Sequence, residues 1–422
     1  MIGLILLCSN IGLSMFAVGF VGYAMVRNWS AAIAILRTNL LSSAMNYAMV
    51  VVPLFVLMGQ FVFYAGISDG LFNATRTLFG RKPGGLAYAG IVSCTAFGAI
   101  CGTLNATTAT MCAVAKPIMR EHKYKDSLIA GTLACGGTLG TLIPPSTPFI
   151  LYGVIAEQSI GKLFAAGVVP GIIMAICFCG CIFVQTKLDP EIAPGTEEGF
   201  TIMEKVKAMK GFIPILLLFG IVIVGMFTGI FSVNESAAMG AFAAFLFLVF
   251  RGRCTKDVLL KCLKETVLTT GMTVVIIGGA NIFGCFLTIT HMPSNLASWI
   301  ATLPLPPVLI IAVIIIIYAI MGCFVDALSM IMLTTPIFLP VITALGYDPI
   351  WFGVIVVMVL NLGAITPPVG AACFVATGAL KDIPLTTVFK GALPFLWAFL
   401  ISFLIVVLFP QICLWLPTLS VG

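Results

Sequence analysis

The chain has 422 residues, of which 61% are hydrophobic and only 9% are charged, and its mean hydropathy is +1.18. Soluble domains carry about a quarter charged residues, so this chain has too little polar surface to cover a water-soluble core. The composition therefore predicts a polytopic membrane protein. It leaves no room for a sizeable soluble domain and excludes a nucleic-acid-binding role, despite a net charge of +6.

Apolar runs between charges and Gly or Pro breaks predict nine crossings, since a helix needs roughly 20 apolar residues to cross a bilayer. They are residues 2–26, 47–67, 126–153, 162–186, 212–231, 235–250, 266–290, 349–378 and 385–410. The first run has no basic segment before it and no small-residue cleavage signal, so we interpret it as a retained crossing rather than a signal peptide.

Two further segments, 83–122 and 303–345, each have a small or polar break in the middle, at Gly98–Thr110 and Gly322–Ser329. Each segment is either two full crossings or a re-entrant hairpin of two short helices. The apolar runs of the first segment are about 15 and 14 residues long, which is short of a crossing. We therefore favour hairpins.

Charge placement sets the predicted orientation. Arg27, Arg37 and Lys162 fall on one side of the membrane, and the other eighteen of the 21 basic residues fall on the opposite side. Basic residues concentrate on the cytoplasmic side, so this asymmetry predicts that both termini are outside. The first hairpin then enters from the cytoplasm and the second from the opposite face.

The two halves resemble each other around a proline pair. Aligning Gly140 with Gly363 also aligns Pro144-Pro145 with Pro367-Pro368, and each motif follows its candidate hairpin at a similar distance. An odd number of crossings separates the motifs, so the repeats have inverted topology. A proline pair removes two backbone donors, so each crossing should break into two helices. A plain proline kink is the alternative, but broken helices in inverted halves are typical of secondary-transporter binding sites.

Amphipathic stretches at 30–46 and 253–265 follow equivalent crossings, and 189–210 is the longest polar segment. The first two are typical of helices lying in the membrane interface. They either brace a framework against which another part moves or serve as ordinary connectors.

Asp326 is the leading functional candidate, because it falls at the tip of the second hairpin and a mid-membrane carboxylate is costly without a cation or donors. Sodium prefers hard oxygen ligands such as carbonyls, hydroxyls and carboxylates. The sequence therefore predicts two sodium sites, each made by one hairpin tip and one broken helix. They comprise Thr103, Asn105, Gly140, Thr141 and Pro144 in the first half, and Gly322, Asp326, Gly363 and Thr366 in the second.

A substrate carboxylate is predicted to bind near the helix that begins around Ala106, whose positive end faces the membrane middle. The candidate substrate residues are Asn105, Thr107, Asp326, Pro145 and Pro368. For Asn105 and Thr107, hydrogen bonding between helices is the alternative role.

Enzymatic chemistry is not expected. The chain has no G-x-x-x-x-G-K-[ST] phosphate loop, no nucleophile–base pair and only two histidines, His122 and His291, both in predicted loops.

Several motifs resemble the large membrane (DctM-like) subunit of tripartite ATP-independent periplasmic (TRAP) transporters. They are Gly136–Gly153, Ser159–Gly167 with Pro170-Gly171, Pro336–Pro340, Gly346–Pro349 and Thr366–Gly370. The resemblance extends over nearly the whole chain. Where the family usually has Gly-Ser-Ser at the first hairpin tip, this chain has Gly102-Thr103-Leu104-Asn105, which retains oxygen ligands.

The resemblance implies a sodium-coupled symporter of an organic acid, of the sialic acid or C4-dicarboxylate class, in the bacterial inner membrane. Its partners would be a small four-helix membrane subunit and a periplasmic substrate-binding protein. It also implies an elevator-type fold, in which a transport domain slides against a scaffold.

On this basis we assign scaffold helices and interfacial arms to 1–82 and 212–302, the two halves of the transport domain to 83–187 and 303–422, and a cytoplasmic linker to 188–211. A stand-alone sodium–dicarboxylate symporter and an ion channel are the alternatives.

Overall fold

The computed structural model describes residues 11–44, 47–80, 82–195, 200–302, 304–325 and 327–419. Within these ranges every regular element is a helix. Seven helices are long and apolar enough to cross a membrane, or eight if the bent pair Val51–Tyr64 and Ile67–Phe79 counts as one crossing. The predicted fold class, an all-helical polytopic membrane protein, is confirmed.

The first half contains nine α-helices in its described residues, besides two short 3-10 helices. They are α1 (Ile11–Val26), α2 (Trp29–Ala44), α3 (Val51–Tyr64), α4 (Ile67–Phe79), α5 (Gly85–Cys101), α6 (Leu104–Glu121), α7 (Asp126–Leu142), α8 (Thr147–Ile155) and α9 (Ile160–Leu188).

The second half begins with α10 (Ile202–Phe227), a continuous run that includes a π-helical turn at Gly220–Val224. The helices that follow are α11 (Val233–Phe250), α12 (Lys256–Ile289), α13 (Met292–Thr302), α14 (Pro307–Gly322), α15 (Ala327–Ala344), α16 (Pro349–Ile365), α17 (Ala371–Leu380), α18 (Leu385–Leu408) and α19 (Gln411–Leu419).

Helices break where the sequence predicts breaks. In the first hairpin segment, α5 and α6 are separated by Gly102 and Thr103, and α14 and α15 flank the tip of the second. Each proline pair lies in a gap between two helices, α7 and α8 in the first half and α16 and α17 in the second, and both Pro-Pro bonds are cis. How deep these helices lie in a bilayer stays a prediction.

Two boundaries differ from expectation. The amphipathic stretch 253–265 and the crossing 266–290 are not separate elements, because α12 runs unbroken from Lys256 to Ile289 with no Gly or Pro at the predicted junction. The crossing predicted over 47–67 contributes only α3, after which the chain turns by 66° into α4. Gly66 permits this turn by adopting a left-handed conformation, with φ 66°.

The two broken helices run antiparallel. Near one end, the Tyr152 hydroxyl of α8 donates a 2.6 Å hydrogen bond to the carbonyl of Pro349, the first residue of α16. In the middle, Thr141 of α7 contacts Asn361 of α16. At the other end, Arg120 forms ion pairs with two carboxylates. One belongs to Asp126, the first residue of α7, and the other to Asp382, which lies just beyond α17. Residue numbers therefore increase along one broken helix in the direction in which they decrease along the other.

Each hairpin approaches its own broken helix through a pair of glycines. A Cβ at Gly98 would lie 2.5 Å from the Cα of Gly140, and a Cβ at Gly363 would lie 2.5 Å from the carbonyl oxygen of Gly322. Real side chains do not tolerate such distances, so both contacts depend on glycine. Small residues allow helix backbones to approach closely in membranes, which brings each hairpin tip onto a helix break.

An ionic cluster fastens the first hairpin to the second broken helix. Lys116 and Arg120 of α6 each donate to a different carboxylate oxygen of Asp382, and Lys116 also donates to the carbonyl of Leu380. Arg120 forms a two-bond fork with Asp126, at 2.9 and 2.8 Å. Hydrogen bonds from Lys116 and Arg120 lower the pKa of Asp382 to about 2. The cluster therefore joins residues that are far apart in sequence and lie on the same predicted side of the membrane.

Asp382→Asn is expected to lower the unfolding temperature by a few degrees at pH 7, because the amide cannot accept two cationic donors as strongly. The pKa of Asp382 is lowered by folding, so its contribution is complete above about pH 4 and is lost as the pH falls towards 2. Thermal unfolding in detergent across this range tests both points, with the exposed Glu121→Gln as the control. An equal unfolding temperature for Asp382→Asn and the wild type at pH 7 would contradict the prediction.

Candidate functional site

A cavity of about 440 Å³ lies where the two halves meet. Its wall combines the first hairpin tip (101–106), residues at the second tip, and residues from both broken helices. Helices α3 and α12 complete the wall with residues such as Gln60 and Glu265. The cavity is thus the place where the predicted transport elements face the predicted scaffold.

The first hairpin tip is bound to the break between α7 and α8. Gly102 adopts a left-handed conformation, with φ 64°, and its carbonyl accepts a 3.1 Å hydrogen bond from the backbone N–H of Thr147. A Cβ at Gly102 would collide with the carbonyl oxygen of Pro145. A glycine is therefore needed here both for the turn and for the close approach.

Two helices, one from each half, begin at the cavity. Thr103 precedes α6 in an extended conformation. Its side chain makes no capping hydrogen bond to the first backbone N–H groups of α6. Residues Thr103 to Ala106 line the cavity, and the Asn105 side chain is exposed there. In the second half, α15 begins with Ala327 and Leu328, which also line the cavity. Helix N-termini of this kind attract anions.

The proline pairs also release backbone oxygens. Pro144 and Pro145 have no N–H, so the carbonyls of Gly140 and Thr141 lack the donor that would follow four residues later in a helix. The Thr141 carbonyl accepts the Ser146 hydroxyl instead. In the second half, the carbonyl of Gly363 accepts a 3.2 Å bond from the Thr366 N–H. Both breaks therefore hold carbonyl oxygens outside regular helix bonding, as hard-cation sites require.

The two breaks differ in exposure. Residues 143–146 are all buried beneath the first hairpin tip, whereas residues 367–369 are exposed. Thr366 between α16 and α17 is partly exposed, and its hydroxyl donates a 2.6 Å bond to the Leu362 carbonyl.

Thr107 lies behind the cavity wall. Its buried hydroxyl donates a 2.8 Å hydrogen bond to the Thr103 carbonyl and lies against Gly140, where a Cβ would be 2.5 Å from Thr107 Oγ1. This contact stabilises the first turn of α6 at the helix break.

The predicted site residues therefore fall into three groups. Those that line the cavity are Thr103, Asn105, Thr141 and Gly322. Those that do not line it are Thr107, Gly140, Pro144, Pro145, Gly363, Thr366 and Pro368. Asp326 lies outside the described residues.

Sequence reasoning missed the wall formed by α3 and α12. Gln60, Glu265 and Thr269 line the cavity, and Glu265 is the charged side chain among its described lining residues. The sequence places Glu265 at the end of the amphipathic stretch 253–265, one residue before a predicted crossing. The sequence did not indicate that α12 is continuous, and this continuity places the Glu265 carboxylate on the same helix as the crossing.

The chain matches the family described as tripartite ATP-independent periplasmic transporter, DctM component, over residues 1–412. It is 32% identical to the sialic acid TRAP transporter large permease protein SiaM of Vibrio cholerae, over 96% of this chain and 95% of that protein. It is 35% identical to the C4-dicarboxylate TRAP transporter large permease protein DctM of Pseudomonas aeruginosa, over 90% of this chain and 89% of that protein.

In structure, the chain is similar to the YdaH transporter of Alcanivorax borkumensis, with a TM-score of 0.65 at 13% identity, covering 95% of this chain and 97% of that chain. At this identity the likeness concerns the fold alone. The family match and the two permeases extend over nearly the whole sequence, and the resemblance predicted from the sequence motifs is confirmed. The chain belongs to the DctM family of TRAP transporter large permeases.

Proposed function

We propose that this chain is the transport subunit of a sodium-coupled symporter that imports an organic acid anion across the bacterial inner membrane. A periplasmic binding protein delivers the substrate, and a small four-helix membrane subunit completes the permease. The observation that carries this proposal is the cavity on which two helix N-termini and two antiparallel broken helices converge.

The donors around the two breaks suit sodium (Na+). The first site comprises Thr103, Asn105, Gly140, Thr141 and Pro144, and the second comprises Gly322, Asp326, Gly363 and Thr366. These residues supply hydroxyl, amide, carboxylate and backbone oxygens. The carbonyl of Gly140, which has lost its helical donor to Pro144, supports the first site. Two sodium ions moving with one monoanion carry one net charge, worth about 2.3 kcal/mol per 100 mV of membrane potential.

The cavity favours an acid with a single carboxylate. The N-terminus of α6 and Asn105 offer donors to that carboxylate, with Thr107, Pro145, Pro368 and Asp326 as the remaining candidate substrate residues. On the opposite wall, Glu265 would repel a second carboxylate, and no lysine or arginine is found among the described lining residues. A sugar acid rich in hydroxyl donors fits this arrangement better than a C4-dicarboxylate, so we place the substrate in the sialic acid class.

Transport follows an elevator mechanism, in which the hairpins and broken helices move together as inverted repeats against α1–α4 and α10–α13. The antiparallel course of the broken helices supports the inverted repeat. Glu265 lies nine residues from the start of α12, about 14 Å from its predicted cytoplasmic end. Glu265 is thus a residue of the proposed scaffold that faces the proposed moving elements across the cavity.

Uptake by the reconstituted three-component system tests the proposal. Proteoliposomes should accumulate N-acetylneuraminate only with an inward sodium gradient, and Asp326→Asn should abolish sodium-dependent uptake without loss of folded protein. Uptake by this chain alone would favour a stand-alone symporter, and ohmic current without substrate would favour a channel. Full uptake with unchanged sodium dependence in Asp326→Asn would remove that residue from the site.

Glu265→Gln should raise the half-saturating substrate concentration about tenfold, because it weakens a charge-assisted hydrogen bond to the substrate's donors. The sodium concentration for half-maximal uptake should not change. Asp257→Asn, an exposed acid in the first turn of the same helix, is the matched control. Improved binding of succinate by Glu265→Gln would confirm the repulsion, whereas identical kinetics for both variants and the wild type would contradict the role of Glu265.

A further inference from the structure

We infer that Asn361 is a positioning residue that orients the Thr141 hydroxyl for cation binding and couples the cation sites of the two halves. This inference rests on the proposed sodium coupling. It concerns a residue of the second broken helix that acts on a ligand residue of the first.

The geometry concerns one hydroxyl group. Thr141 Oγ1 lies 2.6 Å from Asn361 Oδ1 and 2.8 Å from the carbonyl oxygen of Thr138. A threonine hydroxyl has one hydrogen and two lone pairs, and both neighbours are acceptors. The two acceptors therefore share the one hydrogen, which points to their side, and the lone pairs are left for another group. A residue that binds a cation through its hydroxyl must present a lone pair and turn its hydrogen away, and Asn361 Oδ1, as the nearer of the two acceptors, helps to hold that orientation.

The side chain of Asn361 is buried and only partly hydrogen-bonded. Its side chain is 3% exposed, and within the described chain its Nδ2 has no hydrogen-bond partner. Leaving a buried amide donor unpaired costs free energy, so this arrangement calls for an explanation. The contact with Thr141 is the side-chain hydrogen bond that Asn361 makes among the residues with described side chains.

Asn361 also belongs to the second site's helix. It precedes Gly363 by two residues on α16, and Gly363 packs directly onto Gly322 at the second hairpin. A cation on Thr141 polarises the hydroxyl and strengthens its bond to Asn361, which fixes α16 at the second site. By thermodynamic reciprocity, sodium bound at the second site then raises the affinity of the first site for its own sodium ion. The expected behaviour is positive cooperativity between sodium ions.

An ordinary interhelical hydrogen bond makes a different prediction. Its loss would lower the unfolding temperature but would leave the cooperativity of sodium binding unchanged. Cooperativity is therefore the measurement that separates a positioning role from a purely structural one.

The experiment is a sodium titration of thermal unfolding, with the purified full chain in detergent and choline chloride holding ionic strength constant. A ligand that binds the folded state raises the unfolding temperature with concentration. For the wild type we expect a Hill coefficient above 1. Asn361→Leu keeps the side-chain size but removes the acceptor, so it should bring the Hill coefficient towards 1 and raise the half-saturating sodium concentration about tenfold.

Thr138→Val is the matched control. Its buried hydroxyl lies one turn earlier on α7 and bonds within its own helix, 2.6 Å from the Cys135 carbonyl. This variant should titrate with sodium as the wild type does.

A second pair of variants covers the case in which Asn361→Leu does not fold. Asn361→Asp keeps an oxygen acceptor for the Thr141 hydroxyl and should stay cooperative, whereas Asn361→Ala should not. A Hill coefficient unchanged in Asn361→Leu, or equal in the aspartate and alanine variants, would overturn the inference. If sodium does not stabilise the wild type at all, the proposed sodium coupling is wrong. If the wild type and Asn361→Leu are both cooperative, only the role of Asn361 is wrong, so the two failures can be told apart.

Discussion

Two proline pairs, one buried and one exposed, are the constraint on which the rest of the structure depends. Each pair removes two backbone N–H groups from an otherwise apolar helix, and freed carbonyls within the hydrocarbon are tolerated only where the protein or a cavity surrounds them. The chain meets this requirement by placing a hairpin tip against the first break, where Gly102 bonds to Thr147 and Ser146 bonds to the Thr141 carbonyl. The breaks, the hairpins and the cavity are thus consequences of one chemical deficit.

Close backbone contact is what makes this arrangement geometrically possible. Glycine pairs bring α5 onto α7 and α14 onto α16 at separations that no side chain permits. The same proximity places the N-termini of α6 and α15 at a single cavity, so the partial positive charge of two helices faces a common volume that Thr141 of the first break also lines. A cation and an anion bound in this volume, as we propose, would attract each other, and this attraction would couple their binding.

Much of this could be predicted from the sequence, because the signals were local. Pro144-Pro145 and Pro367-Pro368 favour helix breaks over plain kinks, and the polar interruptions at Gly102 and Gly322 lie where the hairpin helices end. Four candidate site residues that were predicted from these signals line the cavity.

What sequence reasoning missed depends on contacts between distant segments. In the sequence, Glu265 is one of several charged residues in an amphipathic stretch. Its place in the cavity wall follows only from the continuity of α12. Likewise, nothing near Asp382 indicates that Lys116 and Arg120, over 260 positions earlier, would bind it. Asn361 was visible only as part of a repeated motif, since its importance comes from a bond to Thr141 across 220 positions. Long-range pairing of this kind has no local signature.

The attachment of the two broken helices to each other has a mechanical consequence. They are joined near one end through Tyr152 and Pro349, in the middle through Thr141 and Asn361, and at the other end through the cluster around Asp382. Two rods fixed at three levels cannot slide along each other by a helical turn without breaking all three connections. Under the elevator mechanism that we propose, shear would therefore be directed to the face where the cavity separates these helices from α3 and α12, and the proposed binding volume would lie on that plane.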